Sequence, residues 1–596
     1  MGLVLAGIAI YAHTLHYPTQ FDDKTYVERN RLIRNTGYYA ELLHPFSFAR
    51  TDEELGIQED CVTNFALRPV SYLTFTFNYL VGGTDPVGYR LFNIAVHIAN
   101  AMLVYLVLLR MLGLPDDVSP PDTFTKRFVP AAAAFLFLVH PLQTESVIYI
   151  VQRFTSVATL FYLLTILLYL DARAAGPGTK RKVLQVGAVA ALVCGMLSKE
   201  IAFTAPLVLL LLELVIFGSR LKDAVRRTAV QLACLPLLPV MIVIMATAQG
   251  AGTLLAGSIN VVNLRGYPPL DYAITQLAVV VSYLRLLLLP YGQNVDPDFP
   301  LYGSLLQGRV LLSLALLLVI VAGSVALYRA NRRDLRRRLL MFGIIWFFVT
   351  LAVTSSFVPL SDLMAERRVY LSCVGLFAAL AALLDLARSR WDGVAMRRGI
   401  VAFTAGWVVA LSGATYARSL VWRSGVALWR DTVAKSPCKV RPNYNLGVSL
   451  ESASRYGEAV PYLRKVIAMD PRHFWAYRSL GHAYNKLGRY NDAINLNNRA
   501  IALGTRDAGI YSNLGVAYYR LGQLNDARML IEYAILLGNW TAEARVILGE
   551  IYFQLGRRED AAEQLSVVEA GDPEDADVVA QIRDLRRRLA GHGPPR

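Results

Sequence analysis

Residues 479–503 read SLGHAYNKLGRYNDAINLNNRAIAL, a polar stretch with small residues at regular positions. The same spacing returns through the C-terminal part of the chain with a step of 34 residues. Glycine occupies one repeated position four times, at Gly447, Gly481, Gly515 and Gly549. Alanine occupies another, at Ala459, Ala493, Ala527 and Ala561. A fixed period of this length indicates an array of one structural unit.

A 34-residue unit with this pattern is typical of the tetratricopeptide repeat, a pair of antiparallel helices. Small residues allow the two helices of a pair to touch, and stacked pairs form a superhelix with a concave binding face. We therefore predict a leading helix and linker over 419–437, four repeats over 438–573, and a capping helix and tail over 574–596.

Asn445 and Asn513 occupy equivalent positions, just before the Leu-Gly pair of the first and third repeats. A side-chain amide donates and accepts hydrogen bonds, so it can pair with the backbone of an extended peptide. We predict that these two asparagines bind an acceptor polypeptide. Ordinary polarity on a helix surface is the alternative.

Residues 1–418 form a second and very different domain. The whole chain has 596 residues, 55% of them hydrophobic, and a mean hydropathy of +0.39, which excludes an ordinary soluble enzyme. A helix needs roughly 20 apolar residues to cross a bilayer. We predict an all-α, polytopic domain with eleven crossings, near 1–16, 89–111, 128–146, 153–170, 183–198, 201–217, 228–247, 309–328, 339–358, 369–386 and 399–417.

The net charge of +15 fits this topology. Counting from a cytoplasmic N-terminus places five basic loops on the cytoplasmic side, as the positive-inside rule requires, and the repeats on the other side. We therefore attribute the charge to topology and predict no nucleic-acid partner. The first run lacks a basic leading region, so we interpret it as a retained anchor and not as a cleaved signal peptide.

The apolar stretch 272–290 breaks the alternation, because it lies between two segments that both face outward. It contains Arg285 and ends at Pro290. We predict a re-entrant or interfacial helix, which is tolerated at membrane depth where it lines a cavity.

Two adjacent acids, Asp22 and Asp23, follow the first crossing on the outer face. Adjacent carboxylates repel, so one can keep a raised pKa and serve as a base while the other orients it. The alternative is an N-cap for the following turn.

Further ionisable residues are predicted on the same face of the membrane. Such residues at membrane depth are costly and usually line a functional cavity or pair with one another. Acids beside several cations suit the activation of a nucleophile next to a phosphate leaving group. The candidates are His140, Glu145, Arg153, Lys199, Glu366 and Arg367, with interfacial salt bridges as the alternative for Lys199-Glu200 and Glu366-Arg367.

Three further sets of residues have other interpretations: hydrogen bonds between helices, a disulfide and a metal site. Asn93, His97 and Asn100 share one helix face, which favours hydrogen bonding between helices. Cys61 and Cys438 are both predicted outside, where a disulfide between them is conceivable. A metal site formed by Asp22 with Asp296 and Asp298 is a further alternative, holding Mg²⁺ or Mn²⁺.

The order of these motifs resembles that of the transmembrane and tetratricopeptide-containing O-mannosyltransferases, which are GT-C glycosyltransferases. The resemblance extends over almost the whole chain. It is carried by Asp22-Asp23, Arg68-Pro69, Asn78, Pro86 to Tyr89, Asn93, His97, His140-Pro141, Glu145, Arg153, Ser198-Lys199-Glu200, Pro290, Ala365-Glu366-Arg367, Tyr370-Leu371 and the repeats. Tyr89-Arg90 departs from the family, which often has an aromatic residue followed by His.

This resemblance implies an inverting transfer of mannose from a polyprenyl or dolichyl phosphate to Ser or Thr of an exported protein, without metal or other cofactor. It implies Asp22 as base, with Asp23 supporting it or binding acceptor. Arg153, Lys199 and Arg367 would hold the donor phosphate together with His140, and Glu145 and Glu366 would position sugar or cations.

Other functions stay open from the sequence alone. One is a related transferase with a lipid or glycan acceptor, or with another sugar. Another is a non-enzymic membrane scaffold for envelope assembly, and a transporter is a third. The predicted location is a bacterial inner membrane with periplasmic repeats, or an endoplasmic reticulum membrane with luminal repeats.

Overall fold

The computed structural model describes residues 1–41, 64–113, 120–237, 267–389, 391, 393–538, 541–571 and 576–591. These residues contain helices and no strands, which confirms the all-α prediction. The chain divides into two compact units, Met1–Ser424 and Gly425–Arg596. The division falls slightly after the predicted boundary at 418, and the helix at 425–435 belongs to the C-terminal unit.

The N-terminal unit contains fifteen described α-helices joined by short 3₁₀ and π turns. They are α1 (Gly2–Tyr11), α2 (Tyr38–Glu41), α3 (Pro69–Gly82), α4 (Pro86–Gly113), α5 (Thr123–Val139), α6 (Thr144–Ile148), α7 (Arg153–Ala174), α8 (Thr179–Met196), α9 (Ala205–Leu211), α10 (Leu221–Leu232), α11 (Pro269–Leu288), α12 (Gly308–Ala330), α13 (Leu335–Leu351), α14 (Ser372–Arg388) and α15 (Val394–Leu420).

Five described helical segments are long and apolar enough to cross a membrane: Pro86–Gly113, Ile150–Ala174, Pro269–Leu288, Gly308–Ala330 and Val394–Arg423. A sixth candidate is α5 with the helical segment Pro141–Ile148, which is bent by 52°. Pro141 lies at the bend, and proline cannot donate the backbone hydrogen bond that would continue α5. The eleven crossings therefore stay a prediction, and the second half of the run at 228–247 lies outside the described residues.

The helix at 272–290 of the sequence prediction is α11, which itself has the length and composition of a membrane span. Its re-entrant interpretation stays a prediction. The polar face of α4 connects several helices: His97 pairs with the Tyr370 hydroxyl at 2.8 Å and the Leu138 carbonyl at 3.0 Å, and the Asn100 amide donates to the Ser156 carbonyl at 2.9 Å. The spacing of Asn93, His97 and Asn100 in the sequence favoured hydrogen bonds of this kind between helices.

The C-terminal unit consists of α16 (Gly425–Lys435), α17 (Val440–Ser452), α18 (Tyr456–Met469), α19 (Phe474–Lys486), α20 (Tyr490–Ala502), α21 (Ala508–Arg520), α22 (Leu524–Leu536), α23 (Ala542–Gln554), α24 (Arg558–Ala570) and α25 (Ala576–Leu589). The four pairs α17–α24 form the repeats. A Cβ at Gly447 would lie 2.6 Å from a Leu463 methyl carbon, and one at Gly515 2.5 Å from Ile531. Glycine is needed there because the paired helices touch.

Candidate active site

The acidic pair lies on a strained turn that follows α1. Phe21, directly before it, has a φ of 56°, a left-handed conformation that is unfavourable for a bulky residue. Asp23 is fully buried and accepts hydrogen bonds from the Gln20 N–H at 3.1 Å and the Val151 N–H at 2.9 Å. Burial raises the pKa of Asp23 to about 7, although these N–H groups oppose the shift. Asp23 therefore holds the turn against the segment at 149–152.

Asp22 is the exposed member of the pair. The Tyr149 hydroxyl donates to its Oδ2 at 2.7 Å, and the Asp22 N–H donates to that hydroxyl at 3.1 Å. The Tyr149 ring packs against Phe21, at 5.7 Å between centroids, and against Trp422, at 5.8 Å. The structure thus separates two acids that are equivalent in the sequence: Asp22 is accessible and oriented, whereas Asp23 is buried.

Arg90 holds the chain that leads to the acidic pair. It is 1% exposed, and its guanidinium donates to the Tyr17 carbonyl, to the Pro18 carbonyl at 2.7 Å and to the Ile148 carbonyl at 3.4 Å. This arginine, where the chain departs from the family pattern, therefore connects the loop before Asp22 to the residues before Tyr149.

Arg367 lies between two carboxylates. It donates to Glu145 Oε1 at 2.8 Å and to Asp362 Oδ2 at 3.0 Å, and its side chain is 23% exposed. Burial disfavours its charge, but Glu145 and Asp362 outweigh that effect and raise the pKa of Arg367. Within the part of the chain that the structure describes, Glu145 Oε2 is buried and has no hydrogen-bond partner. A buried oxygen of this kind is suited to a ligand hydroxyl or an ordered water.

Lys199 is part of a group of cations. Its ammonium donates to the Thr155 hydroxyl at 2.7 Å, and the neighbouring Glu200 pairs with Arg68 at 3.0 Å. Burial lowers the pKa of Lys199 to about 8; Glu200 opposes this shift, whereas Arg68, Arg367 and Arg368 favour it. Burial would raise the pKa of Glu200, but Arg68 and Lys199 lower it to about 2. Lys199, Glu200 and Arg68 are all half-buried, so Lys199 lies beside an ion pair at the edge of the protein interior.

Glu366 faces the segment that follows α11. Its Oε2 accepts from the Gln293 side-chain amide at 2.9 Å, and its Oε1 accepts from the Asn294 N–H at 2.6 Å. Burial raises the pKa of Glu366 to about 7, opposed by Arg418 and assisted by Glu145. Glu366 thus fixes this segment beside the Glu145–Arg367 pair.

Two predicted donor-binding residues use their polar atoms within the protein. Arg153 is fully buried and donates to Asn93 Oδ1 at 2.7 Å, to Asn78 Oδ1 at 2.6 Å and to the Tyr89 carbonyl at 2.7 Å. His140 Nε2 pairs with the Leu287 carbonyl at 3.0 Å, and its Nδ1 accepts from the Leu142 N–H at 3.2 Å. Their geometry is that of residues that hold helices together. Their direct contact with a donor stays a prediction.

The two repeat asparagines are placed differently. Asn445 is half-buried on α17, whereas Asn513 is 9% exposed and its amide donates to the Arg478 carbonyl of the preceding repeat at 2.7 Å. The NH₂ group of Asn513 therefore makes a contact between two repeats. Binding of a peptide by these residues stays a prediction.

Among the described residues, no three His, Cys, Asp or Glu side chains are grouped as a metal site. Asp296 is 1% exposed and Asp298 is exposed. Metal independence stays a prediction. Cys61 lies outside the described residues, and Cys438 is exposed.

Sequence reasoning did not identify Tyr149, Asp362 or a polar role for Arg90. Tyr149 follows Glu145 by four residues, a weak signal for a shared site. Asp362 precedes Arg367 by five residues in a loop, and Arg90 was noted only as a departure from a family pattern. Their contacts join segments far apart in the chain; Asp22 and Tyr149, for example, are 127 positions apart.

Apolar spans and helical repeats define this chain as a helical membrane protein with a C-terminal tetratricopeptide repeat domain. Models described as tetratricopeptide or TPR repeats match residues 440–473, 462–495, 481–522 and 512–576. Parts of the chain are also similar to solved TPR structures. These include TTC0263 of Thermus thermophilus (21% identity, TM-score 0.25, 30% of this chain and 94% of that chain) and MamA of Desulfovibrio magneticus (22% identity, TM-score 0.22, 27% and 84%).

Curated relatives extend the similarity into the membrane domain. Protein O-mannosyl-transferase TMTC4 of Homo sapiens is 26% identical over 499 residues, which are 77% of this chain and 65% of that protein. Protein O-mannosyl-transferase Tmtc2 of Drosophila melanogaster is 35% identical over 173 residues, 28% of this chain and 17% of that protein. These matches span less than two thirds of the relatives' own lengths. They confirm the resemblance to the transmembrane and tetratricopeptide-containing O-mannosyltransferases.

Proposed function

We propose that the chain is a protein O-glycosyltransferase that uses a lipid-phosphate sugar. The reaction is an inverting transfer of mannose from a polyprenyl or dolichyl phosphate to Ser or Thr of an exported polypeptide. The observation that carries the proposal is the arrangement around Tyr149. Its hydroxyl donates to the exposed Asp22 at 2.7 Å, and its N–H donates to the carbonyl of Glu145, whose carboxylate holds Arg367 at 2.8 Å. The short segment from Glu145 to Tyr149 thus connects an oriented carboxylate with a cation. The relatives' names, protein O-mannosyl-transferase, support the transfer of mannose to protein.

Asp22 has the role of general base. An acceptor hydroxyl has a pKa far above 7, so a carboxylate must take its proton as the oxygen attacks the anomeric carbon. A new bond forms from the acceptor oxygen to that carbon while the bond from the carbon to the phosphate oxygen breaks. The hydroxyl proton passes to Asp22, and the lipid phosphate leaves with the electron pair of the broken bond.

Arg367 and Lys199 have the role of stabilising the departing phosphate. Cations placed in advance stabilise charge that develops in the transition state, and they do so most strongly where water is excluded. Arg367 is held in place by Glu145 and Asp362, so little reorientation accompanies the reaction. The free oxygen of Glu145 would accept a hydrogen bond from a sugar hydroxyl. The repeats would recruit the acceptor and raise its effective concentration.

The test is a transfer assay with purified full-length protein, polyprenyl-phosphate-mannose and a Ser/Thr-rich peptide, with and without EDTA. Asp22→Asn is compared with the wild type and with Asp85→Asn, which alters an exposed acid elsewhere. We expect mannosylated peptide from the wild type and Asp85→Asn, none from Asp22→Asn, and no effect of EDTA.

Different outcomes would favour the other functions. Product on a lipid or glycan, and none on peptide, would assign a different acceptor. No product from folded protein across several donors and acceptors would favour the scaffold. Loss of activity in EDTA, restored by Mn²⁺, would overturn metal independence.

A further inference from the structure

The helix α10 contacts the rest of the membrane domain through one narrow face. Its buried residues are Ala224, Thr228 and Gln231, whose spacings of four and three place them on the same side of the helix. Arg227 adds an ion pair: its guanidinium donates to Glu213 at 3.1 Å, and Glu213 is fully buried. The other sides of α10 are therefore open to contacts outside the protein.

One of the open sides of α10 is apolar. Leu221 is 62% exposed and Val225 is 41% exposed, and Leu232, which is half-buried, follows Val225 by seven residues. These spacings place the three side chains on one side of the helix. A helix that contacts protein on one side and presents an apolar stripe on the next is suited to lie at a membrane surface, with the stripe against the acyl chains.

The sequence also places α10 at a boundary between charged and apolar chain. From Thr228 to Leu264 the sequence has no charged residue, and the predicted crossing at 228–247 begins within α10. Val230, on the opposite side of the helix from the apolar stripe, is 62% exposed and belongs to this uncharged part. The first half of α10 would therefore lie at the depth of the lipid headgroups.

Two cations lie beside the apolar stripe in this first half. Lys222 and Arg226 are exposed, are four residues apart and directly follow Leu221 and Val225, so they form a row next to the stripe. Among the described residues neither cation forms an ion pair, and Asp223, the acid of this helix, is paired with neither of them. Cations in this position are complementary to the phosphates of an anionic lipid surface.

We propose that α10 binds anionic phospholipids of the predicted cytoplasmic leaflet. Leu221 and Val225 contact the acyl chains, and Lys222 and Arg226 contact the headgroup phosphates. A lipid fits better than an acidic protein, because the apolar stripe leads directly into the predicted crossing at 228–247 and one lipid satisfies both the stripe and the cations. The inference is independent of the proposed function, since it uses no residue of the candidate active site.

Photocrosslinking of the full-length protein identifies the lipid next to α10. The protein is placed in nanodiscs of phosphatidylcholine with about 20% phosphatidylglycerol, an anionic phospholipid. Val225 is replaced by the photoreactive residue benzoylphenylalanine, and mass spectrometry identifies the headgroup of each lipid adduct. Val409 on α15 is the matched control position, because it is 71% exposed and has no charged residue within four positions on either side.

Each cation near an anionic surface favours binding about fivefold, so two cations should favour it roughly 25-fold. We expect the ratio of phosphatidylglycerol to phosphatidylcholine adducts at position 225 to exceed the ratio in the bilayer by about this factor. Val409 should report the bilayer ratio. High salt should reduce the excess at position 225, because it screens exposed charges.

Charge variants then test the two cations themselves. Lys222→Gln combined with Arg226→Gln should return the adducts at position 225 to the bilayer ratio. Lys465→Gln combined with Arg472→Gln, which removes two exposed cations from the repeats, should keep the excess. Equal ratios at positions 225 and 409, or an excess that persists without Lys222 and Arg226, would overturn the proposal. Adducts with protein instead of lipid would also overturn it, because a protein would then cover α10.

Discussion

The hydroxyl of Tyr149 donates a hydrogen bond of 2.7 Å to Oδ2 of Asp22, a residue 127 positions earlier in the chain. Trp422 and Phe21 both pack against the Tyr149 ring. The exposed acid is therefore oriented by a buried side chain and not by its own loop alone.

Replacing Tyr149 by Phe removes the bond to Asp22 and keeps the ring packing. A hydrogen bond to a charged group contributes about 1.5–3 kcal/mol, so we expect kcat to fall roughly 10- to 100-fold. The KM for the donor should change little, because Tyr149 positions the base. Steady-state kinetics at several donor concentrations measure this. Tyr416→Phe, on a half-exposed tyrosine, is the control, and an unchanged kcat in Tyr149→Phe would contradict the role.

Asp23 should make the stability of the protein depend on pH. Its pKa is raised by burial from 3.8 to about 7, so the folded protein holds the proton more tightly than the unfolded chain. The associated stabilisation is complete below about pH 4 and is lost as the pH rises through about 7.

The variant Asp23→Asn cannot ionise, so its thermal midpoint should fall less between pH 4 and pH 7.5 than that of the wild type. Fluorescence-monitored unfolding in detergent measures the midpoint. Asp85→Asn, which removes an exposed acid, should keep the wild-type dependence of the thermal midpoint on pH. Equal slopes for the wild type and Asp23→Asn would show that Asp23 does not titrate in this range.

Lys199 should affect donor binding. Removing a charged hydrogen-bonding partner of a phosphate costs about 1.5–3 kcal/mol, so Lys199→Met should raise the KM for the donor roughly 10- to 100-fold. Since its pKa is lowered to about 8, the KM of the wild type should also rise above that pH. The exposed Lys24 provides the control Lys24→Met. If the pH dependence of KM persists in Lys199→Met, a group other than Lys199 causes it.

Ser454 adopts a left-handed turn that the other repeats build with glycine. Its φ is 57°, whereas Gly488 has 72° and Gly522 and Gly556 have 78°. The left-handed conformation costs an L-residue about 1–2 kcal/mol, offset in part by the greater entropy of unfolded glycine. Ser454→Gly should therefore increase the free energy of unfolding by about 0.5 kcal/mol. Gly488→Ala should decrease it by about 1 kcal/mol, and urea unfolding of the full chain measures both. A lower free energy of unfolding in Ser454→Gly would contradict the interpretation that Ser454 is strained.

The fold class and the repeat array could be predicted because both depend on local patterns. Apolar runs specify helices that avoid water, and a 34-residue period specifies paired helices whose small residues touch. Gly447 and Gly515 lie against side chains, as their spacing required. The number of crossings could not be obtained in this way, because α13 and α14 are short and a bend at Pro141 separates α5 from the next helical segment.

The sequence alone selected the acidic pair, Lys199 and Arg367 as candidates, because clustered charges in an apolar domain are costly. Only the tertiary structure decided their different environments. Asp23 is buried and Asp22 exposed because Val151 and Tyr149, remote in sequence, fold against the turn. Arg153 has the same charge as Arg367 but faces the interior, where Asn78 and Asn93 bind it. Burial and partner choice depend on contacts between distant segments, and no local pattern encodes them.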